Sequence, residues 1–537
     1  MNPNLHKQLL NFTYLLAIFF ILSCGSTAPI LSTPVENIDN IPLKVVELTD
    51  SEKKEWSHLD LIADTVPGIS LHRAYKELVK PKSKTIIVAV IDSGIDIGHE
   101  DLKDNIWVNS GEVPNNGKDD DNNGYIDDVN GWNFLGGANN EQLEYVRLIA
   151  SGNTNHPRYT ESKELLAKER ESTLRSKTQY QDILEQVIAS DAAVANYLNK
   201  AIYTKEEVEQ ISTTDEALSR HVSVIKQSFG FGFETIETMK KDLNQGLKAF
   251  KERLDYNLNV DFDGRSVVGD NPNDLSDREY GDGDVRPKNG RTHGTHVSGI
   301  IAAIRNNGIG VNGVANNVKI MAIRNTPNGD EYDKDVALAV YYAVNNGAKV
   351  INMSFGKKFS PHSDWVRGAI AYAAQKDVLI VAGSGNDGKN TDLENYFPND
   401  QIDNGDEVAD NFLKVGASEP RYGSTLVAGF SNYGENTVDV FAPGSDIYST
   451  YSKNKYEFAS GTSMASPVVA GVAALIFSQY PSLSAAQVKQ ILMSSGVEIN
   501  KKVSLENGSI VHFSQLSKSG KIVNAYNALL MADKLSK

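Results

Sequence analysis

Five short apolar runs constrain this chain more than any other feature. They cover residues 86–91, 318–323, 349–353, 378–382 and 412–417, and they are rich in valine, isoleucine and leucine with no polar face. A strand of that kind has no side to offer water, so it belongs in a parallel sheet covered on both sides. Helical stretches such as 335–345 and 364–375 lie between them. Their alternation predicts an α/β fold with a doubly wound, mainly parallel sheet. Such sheets place ligands at the carboxyl ends of their strands. Asp92 closes the first run and Asn386 follows the fourth.

The stretch Gly461-Thr462-Ser463-Met464-Ala465-Ser466-Pro467 opens a small, apolar run, Val468 onward, that reads as a buried helix. Pro467 is expected in its first turn, where a missing N–H costs nothing. That puts Ser463 at a helix mouth, beside unpaired N–H groups and the positive dipole end where an oxyanion is stabilised. Small residues opening a buried helix are more often packing devices than catalysts, so the weight comes from combination. A strand ending in Asp92-Ser93-Gly94, a second small helix from His293-Gly294-Thr295-His296, and a strand leading into Gly383-Ser384-Gly385-Asn386-Asp387-Gly388 accompany the serine motif.

Together these four motifs resemble the subtilisin-like serine proteases, over roughly residues 56–137 and 260–537. The resemblance implies that Asp92 orients the imidazole, His293 is general base and then acid, and Ser463 attacks the scissile carbonyl. The Asn386 side-chain amide would act with the Ser463 N–H on the oxyanion. Ser354, Phe355 and Gly356 would form one wall of the specificity pocket and pair with extended substrate; Gly383, Ser384 and Gly385 would form the other. Glycine walls suit a large apolar side chain, while the floor falls in the stretch 391–397, where Asp392 or Glu394 would favour a basic one. Polypeptides are the implied substrates.

The ends of the chain carry an address. Residues 9–22 form an apolar run after Lys7, too short to span a bilayer comfortably, and read as part of a signal peptide over residues 1–23. Ile21-Leu22-Ser23-Cys24-Gly25 resembles the bacterial lipoprotein box, which implies lipidation of Cys24 and residence in the cell envelope, periplasmic or on the cell surface. Cys24 is the only cysteine, so no intramolecular disulfide forms. Residues 24–55 read as lipidated cysteine and tether, 56–139 as the first part of the catalytic domain, and 259–537 as the second. No secretion or adhesion domain is expected beyond a last helix near 523–530. The family usually carries an N-terminal prodomain, and the short stretch before Trp56 departs from that. With 69 acidic against 53 basic residues the formal charge is −16, which argues against nucleic-acid binding and suits a calcium-tolerant exterior.

Two places suggest structural calcium. His99-Glu100-Asp101-Leu102 and Asn306-Asn307-Gly308 resemble the paired loops of the family's cation site, with Asp101 and Asn307 as oxygen donors. Separately, Asp119, Asp121, Asn123 and Asp127 follow the spacing of a calcium loop through its ninth position, but Asn130 stands where the bidentate glutamate belongs. Between the halves, residues 140–258 read as an all-helical insertion: Thr204 with Glu207 and Thr213 with Glu216 are spaced as capping boxes, and Ile236, Met239, Leu243, Leu247, Phe250 and Leu254 recur at helical intervals. The return segment, 261–284, is acidic and glycine-rich and reads as loop. The competing functional reading is a surface lipoprotein that keeps the fold only to bind; within enzymes, it is a maturation protease dedicated to one exported partner.

Overall fold

A computed structural model describes residues 47–81, 83–402 and 405–537. The signal peptide, Cys24 and most of the tether lie outside the described residues. The apolar runs form strands Ile86–Asp92 (β1), Val318–Arg324 (β3), Val350–Met353 (β4), Leu379–Gly383 (β5) and Phe412–Ser418 (β6). Two further strands, Gly131–Asn133 (β2) and Val440–Pro443 (β7), lie outside the five apolar runs. All seven are parallel, in the order β2-β3-β1-β4-β5-β6-β7. Lys521–Ile522 and the antiparallel Val497–Glu498 extend the sheet past β7.

Successive residues of each strand serve opposite layers. Val88 and Val90 pack with Val468, Val472 and Val297 from helices Thr462–Gln479 and His293–Ala302. Ala89 and Ile91 pack with Val340, Ala369 and Ile370 from helices Asp333–Asn345 and Ser363–Gln375. The register sets Asp92 beside Arg324 and Ile91 beside Met353, so the ends of β1 and β4 lie side by side. One edge of the sheet therefore presents Asp92, Ser354 and Gly383 together.

Residues 140–258 contain a short helix, Glu144–Ala150, then three long ones, Tyr159–Leu198, Glu216–Gly230 and Ile236–Glu252. They bury a small core of their own, including Leu184, Val187, Ile225, Phe229 and Met239. Thr204 and Glu207 form a reciprocal capping box. Thr213 does not: Asp215 caps the next helix, accepting from the N–H groups of Ala217 and Leu218. A carboxylate at that end also gains from the helix dipole, an advantage the threonine hydroxyl lacks.

Candidate active site

The aspartate comes from the end of β1 and is 1% exposed. The backbone N–H of Ser93 donates to its Oδ1 (2.7 Å), and His293 Nδ1 lies 2.8 and 2.9 Å from Oδ1 and Oδ2. His293 is the first residue of its helix, so the ring stands at the sheet edge. Burial disfavours a charged imidazole, but the neighbouring Asp92 carboxylate outweighs it and holds the His293 pKa above its ordinary value. His296, one turn on, is a packing residue. It is 3% exposed, its Nε2 lies 3.0 Å from the Glu457 carbonyl, and burial pushes its pKa down to about 4.

Ser463 is the second residue of the Thr462–Gln479 helix, and Gly461 at the cap has no side chain to consume its N–H. Pro467 is not in the first turn as the sequence suggested; it sits inside the helix. Lacking an N–H, it cannot bond the carbonyl four residues back, which is that of Ser463. Ser354 Oγ donates to that freed carbonyl instead (2.9 Å). Asn352 Nδ2 donates to Ser354 Oγ (2.9 Å) and Ser466 Oγ to Asn352 Oδ1 (2.7 Å), so a chain of bonds ties the pocket wall to the serine helix. The Ser463 hydroxyl itself donates to the Ser354 carbonyl (3.1 Å).

Asn386 is oriented by Thr462, whose N–H (2.9 Å) and Oγ1 (3.0 Å) both donate to its Oδ1. That leaves Nδ2 as the outward donor, on the same side as the Ser463 N–H. Thr462 Oγ1 also accepts from Gly385 N (3.1 Å), locking the second pocket wall to the helix. Thr462 is a positioning residue that motif reading passed over.

Beside Ser463 lies a pocket of about 230 Å³ lined by Ser354, Phe355, Gly356, Gly383, Gly385, Asn386, Tyr396, Thr326, Gly329, Asp330 and Glu331. Ser384 is not among these; its buried hydroxyl turns away to the Asn432 carbonyl (2.9 Å). Asp392 and Glu394 do not form the floor. Asp392 accepts from Asn436 N and Thr437 Oγ1, and Glu394 is exposed. The acids that reach the pocket, Asp330 and Glu331, follow β3 in a turn that no sequence pattern distinguished. Burial raises both, Glu331 to about 7.

The helical segment is rooted on that turn. Arg147 donates to the Asp330 (2.9 Å) and Glu331 (3.2 Å) carbonyls, the Glu144 N–H donates to Asp330 Oδ2 (2.8 Å), and Asn257 Nδ2 donates to the Asn328 carbonyl (2.8 Å).

Of the candidate cation ligands, Asp101 and Asn307 are brought together: Asn307 Nδ2 donates to Asp101 Oδ1 (2.6 Å) and Val311 N to Oδ2 (3.2 Å). Burial pushes the Asp101 carboxyl up, as expected of an anion short of positive charge. In the second loop, carboxylate oxygens of Asp119, Asp121 and Glu112 lie within 4.8 Å of one another. Asp127 does not join them; it turns out to accept from Asn116 N and Gly117 N. Its place is taken by Glu112, which lies outside the loop spacing and so escaped the sequence reading. Asn123 stays in the loop, its N–H donating to Asp119 and Asp121 (3.1 Å each).

The site thus brings together a base paired with a buried acid, a hydroxyl at a helix mouth and an outward amide donor, groups suited to acyl transfer. On a parallel α/β sheet such a set of groups is that of the serine endopeptidase class. Comparison with known proteins agrees, and the chain belongs to the Subtilase family, which it matches over residues 83–515. The Thermophilic serine proteinase of Bacillus sp. (strain AK1) is 36% identical over 294 residues, covering 55% of this chain and 63% of that protein. Thermitase of Thermoactinomyces vulgaris is 40% identical over 207 residues, 38% of this chain and 68% of its own length. Subtilisin DY of Bacillus licheniformis is 38% identical over 213 residues, 39% and 72%. The matched region thus spans a little under two thirds of the first relative and somewhat more of the other two.

Proposed function

We propose that this chain is an exported, lipid-anchored endopeptidase that cleaves polypeptides through an acyl-enzyme on Ser463. The observation that carries the reading is the Asp92–His293 pair at 2.8 Å on the sheet edge where the Ser463 helix begins. Ser463 Oγ adds to the scissile carbonyl carbon as its proton passes to His293 Nε2. The oxyanion that forms is met by the Ser463 N–H and Asn386 Nδ2. The imidazolium, held by Asp92, returns the proton to the leaving amine, and water then releases the acyl group by the same steps in reverse. Asp92 stays ionised throughout.

Structural calcium fits the clustered carboxylates of Glu112, Asp119 and Asp121, since a hard cation takes about six to eight oxygens; at Asp101 the neighbouring Asn307 presents its Nδ2, and its amide would have to turn over to offer an oxygen. Bound there, the cation would supply positive charge that ties loops together, with no part in the chemistry. Anchoring rests on the box at Cys24. Among the described residues, one helix is long and apolar enough to cross a membrane, Thr462–Gln479, and 89% of it is buried inside the domain.

The test uses a fluorophosphonate probe on fractionated cells. Labelling should appear in the membrane fraction, vanish in Ser463→Ala and fall steeply in His293→Ala. Cys24→Ala should label equally well but in the soluble fraction. Labelling of Ser463→Ala would overturn the triad; membrane retention of Cys24→Ala would overturn the anchor.

A further inference from the structure

The two walls of the pocket beside Ser463 are glycine-rich, and glycine walls leave an open slot for a side chain. In this protein the slot has an occupant. A Cβ built on Gly356 would stand 2.5 Å from Tyr396 Cε1, and one built on Gly385 would stand 2.6 Å from Tyr396 Cζ. Real Cβ atoms do not approach so closely, so one edge of a single aromatic ring touches both walls at once. Gly356 is crowded by the Phe397 carbonyl as well, and Gly385, at φ +103°, by the Asn432 side chain, but the Tyr396 ring is the one group that meets both, so it occupies the width between them.

The ring is also firmly rooted. The Tyr396 carbonyl accepts from Nζ of Lys414 (2.8 Å), a lysine only 3% exposed. Phe397 exchanges two backbone hydrogen bonds with Lys357, each 2.9 Å. Lys357 is in turn fixed by Glu144 (2.7 Å) and Asp333 (3.0 Å). The backbone on both sides of the ring is therefore held by buried charged side chains, and only rotation of the tyrosine about its own bonds would clear the slot. The cavity beside Ser463 is bounded by Tyr396 together with both walls, and it also reaches Thr326, Asp330 and Glu331.

We propose that Tyr396 determines specificity, filling the slot between Ser354–Gly356 and Gly383–Gly385 so that the residue on the acyl side of the cleaved bond must be glycine, alanine or serine. This rests on the peptidase reading above and reverses the preference for large apolar residues that the glycines alone imply.

The experiment compares kcat/KM on peptide nitroanilides that differ only at that residue: Gly, Ala, Ser, Leu, Phe and Lys. Each variant is normalised by active-site titration with the fluorophosphonate, so that only folded enzyme is counted. The wild type should favour Ala over Phe and Leu by at least about tenfold, the scale of steric discrimination in a tight pocket. Tyr396→Ala and Tyr396→Gly should raise cleavage after Phe and Leu by about tenfold or more, with cleavage after Ala changing less. Tyr396→Phe should keep the small-residue preference, because the ring and not the hydroxyl fills the slot. A wild type that cleaves after Phe as well as after Ala would overturn the assignment, as would an unchanged ratio in Tyr396→Ala. Preference for Lys would move the determinant to Asp330 and Glu331. Absence of both labelling and hydrolysis of every peptide would instead overturn the peptidase reading, and this assignment with it.

Discussion

One proton on His293 sets the pH range of the chemistry. The neutral ring is the base, and the Asp92 charge holds its pKa above the ordinary value of about 6.5. Activity should therefore rise with pH through a midpoint above that value, read from the acid limb of a kcat/KM profile. The attraction between imidazolium and Asp92 stabilises the fold in acid and is lost as pH rises through the same midpoint, so activity and this part of stability move in opposite directions. Asp92→Asn should lower the midpoint and cut kcat by about 10⁴; Asn386→Ala should cut kcat by roughly 10²–10³ with the midpoint unmoved. An Asp92→Asn profile superimposable on the wild type would show that the carboxylate does not set the base. These residues were legible because each sits in a run of small residues at the end of an apolar strand or the start of an apolar helix. Tyr396, Glu112, Asp330 and Thr462 were not. Three come from turns without periodicity, and Thr462 acts through bonds to residues 76 and 77 positions away.

At the scale of elements, a buried cluster of charges fastens the return segment to the sheet's outer helix. Arg265 grips Asp335 (2.5 and 2.8 Å) and Asp270 (2.7 Å twice), Lys334 reaches Asp270 (2.6 Å), and Tyr280 donates to Asp335 (2.6 Å). Residues 261–284 contain no regular helix and were expected to be loop. The loop's rigidity was not foreseen, because it comes from partners on the Asp333–Asn345 helix. Burial favours a neutral Asp270, yet the bonds from Arg265 and Lys334 win and hold its pKa below the usual carboxylate range. Its stabilisation is present above the ordinary carboxylate pKa and is lost as pH falls through the depressed one. Arg265→Ala leaves the buried Asp335 without its cation, and Asp270 with Lys334 alone, and should cost about 3–5 kcal/mol in denaturant titration. A loss below about 1 kcal/mol would mean that water reaches the cluster. The strands themselves were the most legible elements, wrong by a residue or so at their ends, since doubly buried runs admit few alternatives.

For the molecule as a whole, the helical segment is two things. Its root, through Glu144, Arg147 and Asn257, builds the pocket turn; its outer part has a separate core. Arg253 pairs with Glu169 (2.8 Å) and Arg170 with the Leu258 carbonyl (2.8 Å), so the two chains of the stalk lie close together there. Replacing residues 171–252 with a short Gly-Ser linker should therefore leave cleavage of small peptides within about twofold, since loop closure depends only weakly on length. If the outer part screens access, cleavage of folded proteins should rise; equal rates on both substrates would place it away from the cleft. The interleaved strand order has a different consequence, one of timing. β1 must wait between β3 and β4, both far downstream, and Asp92 meets His293 only across 201 residues. Pairings so distant form slowly. A newly made chain should therefore stay inactive until the nucleophile has found its base, and hydrolysis should emerge in refolding only with the slowest kinetic phase.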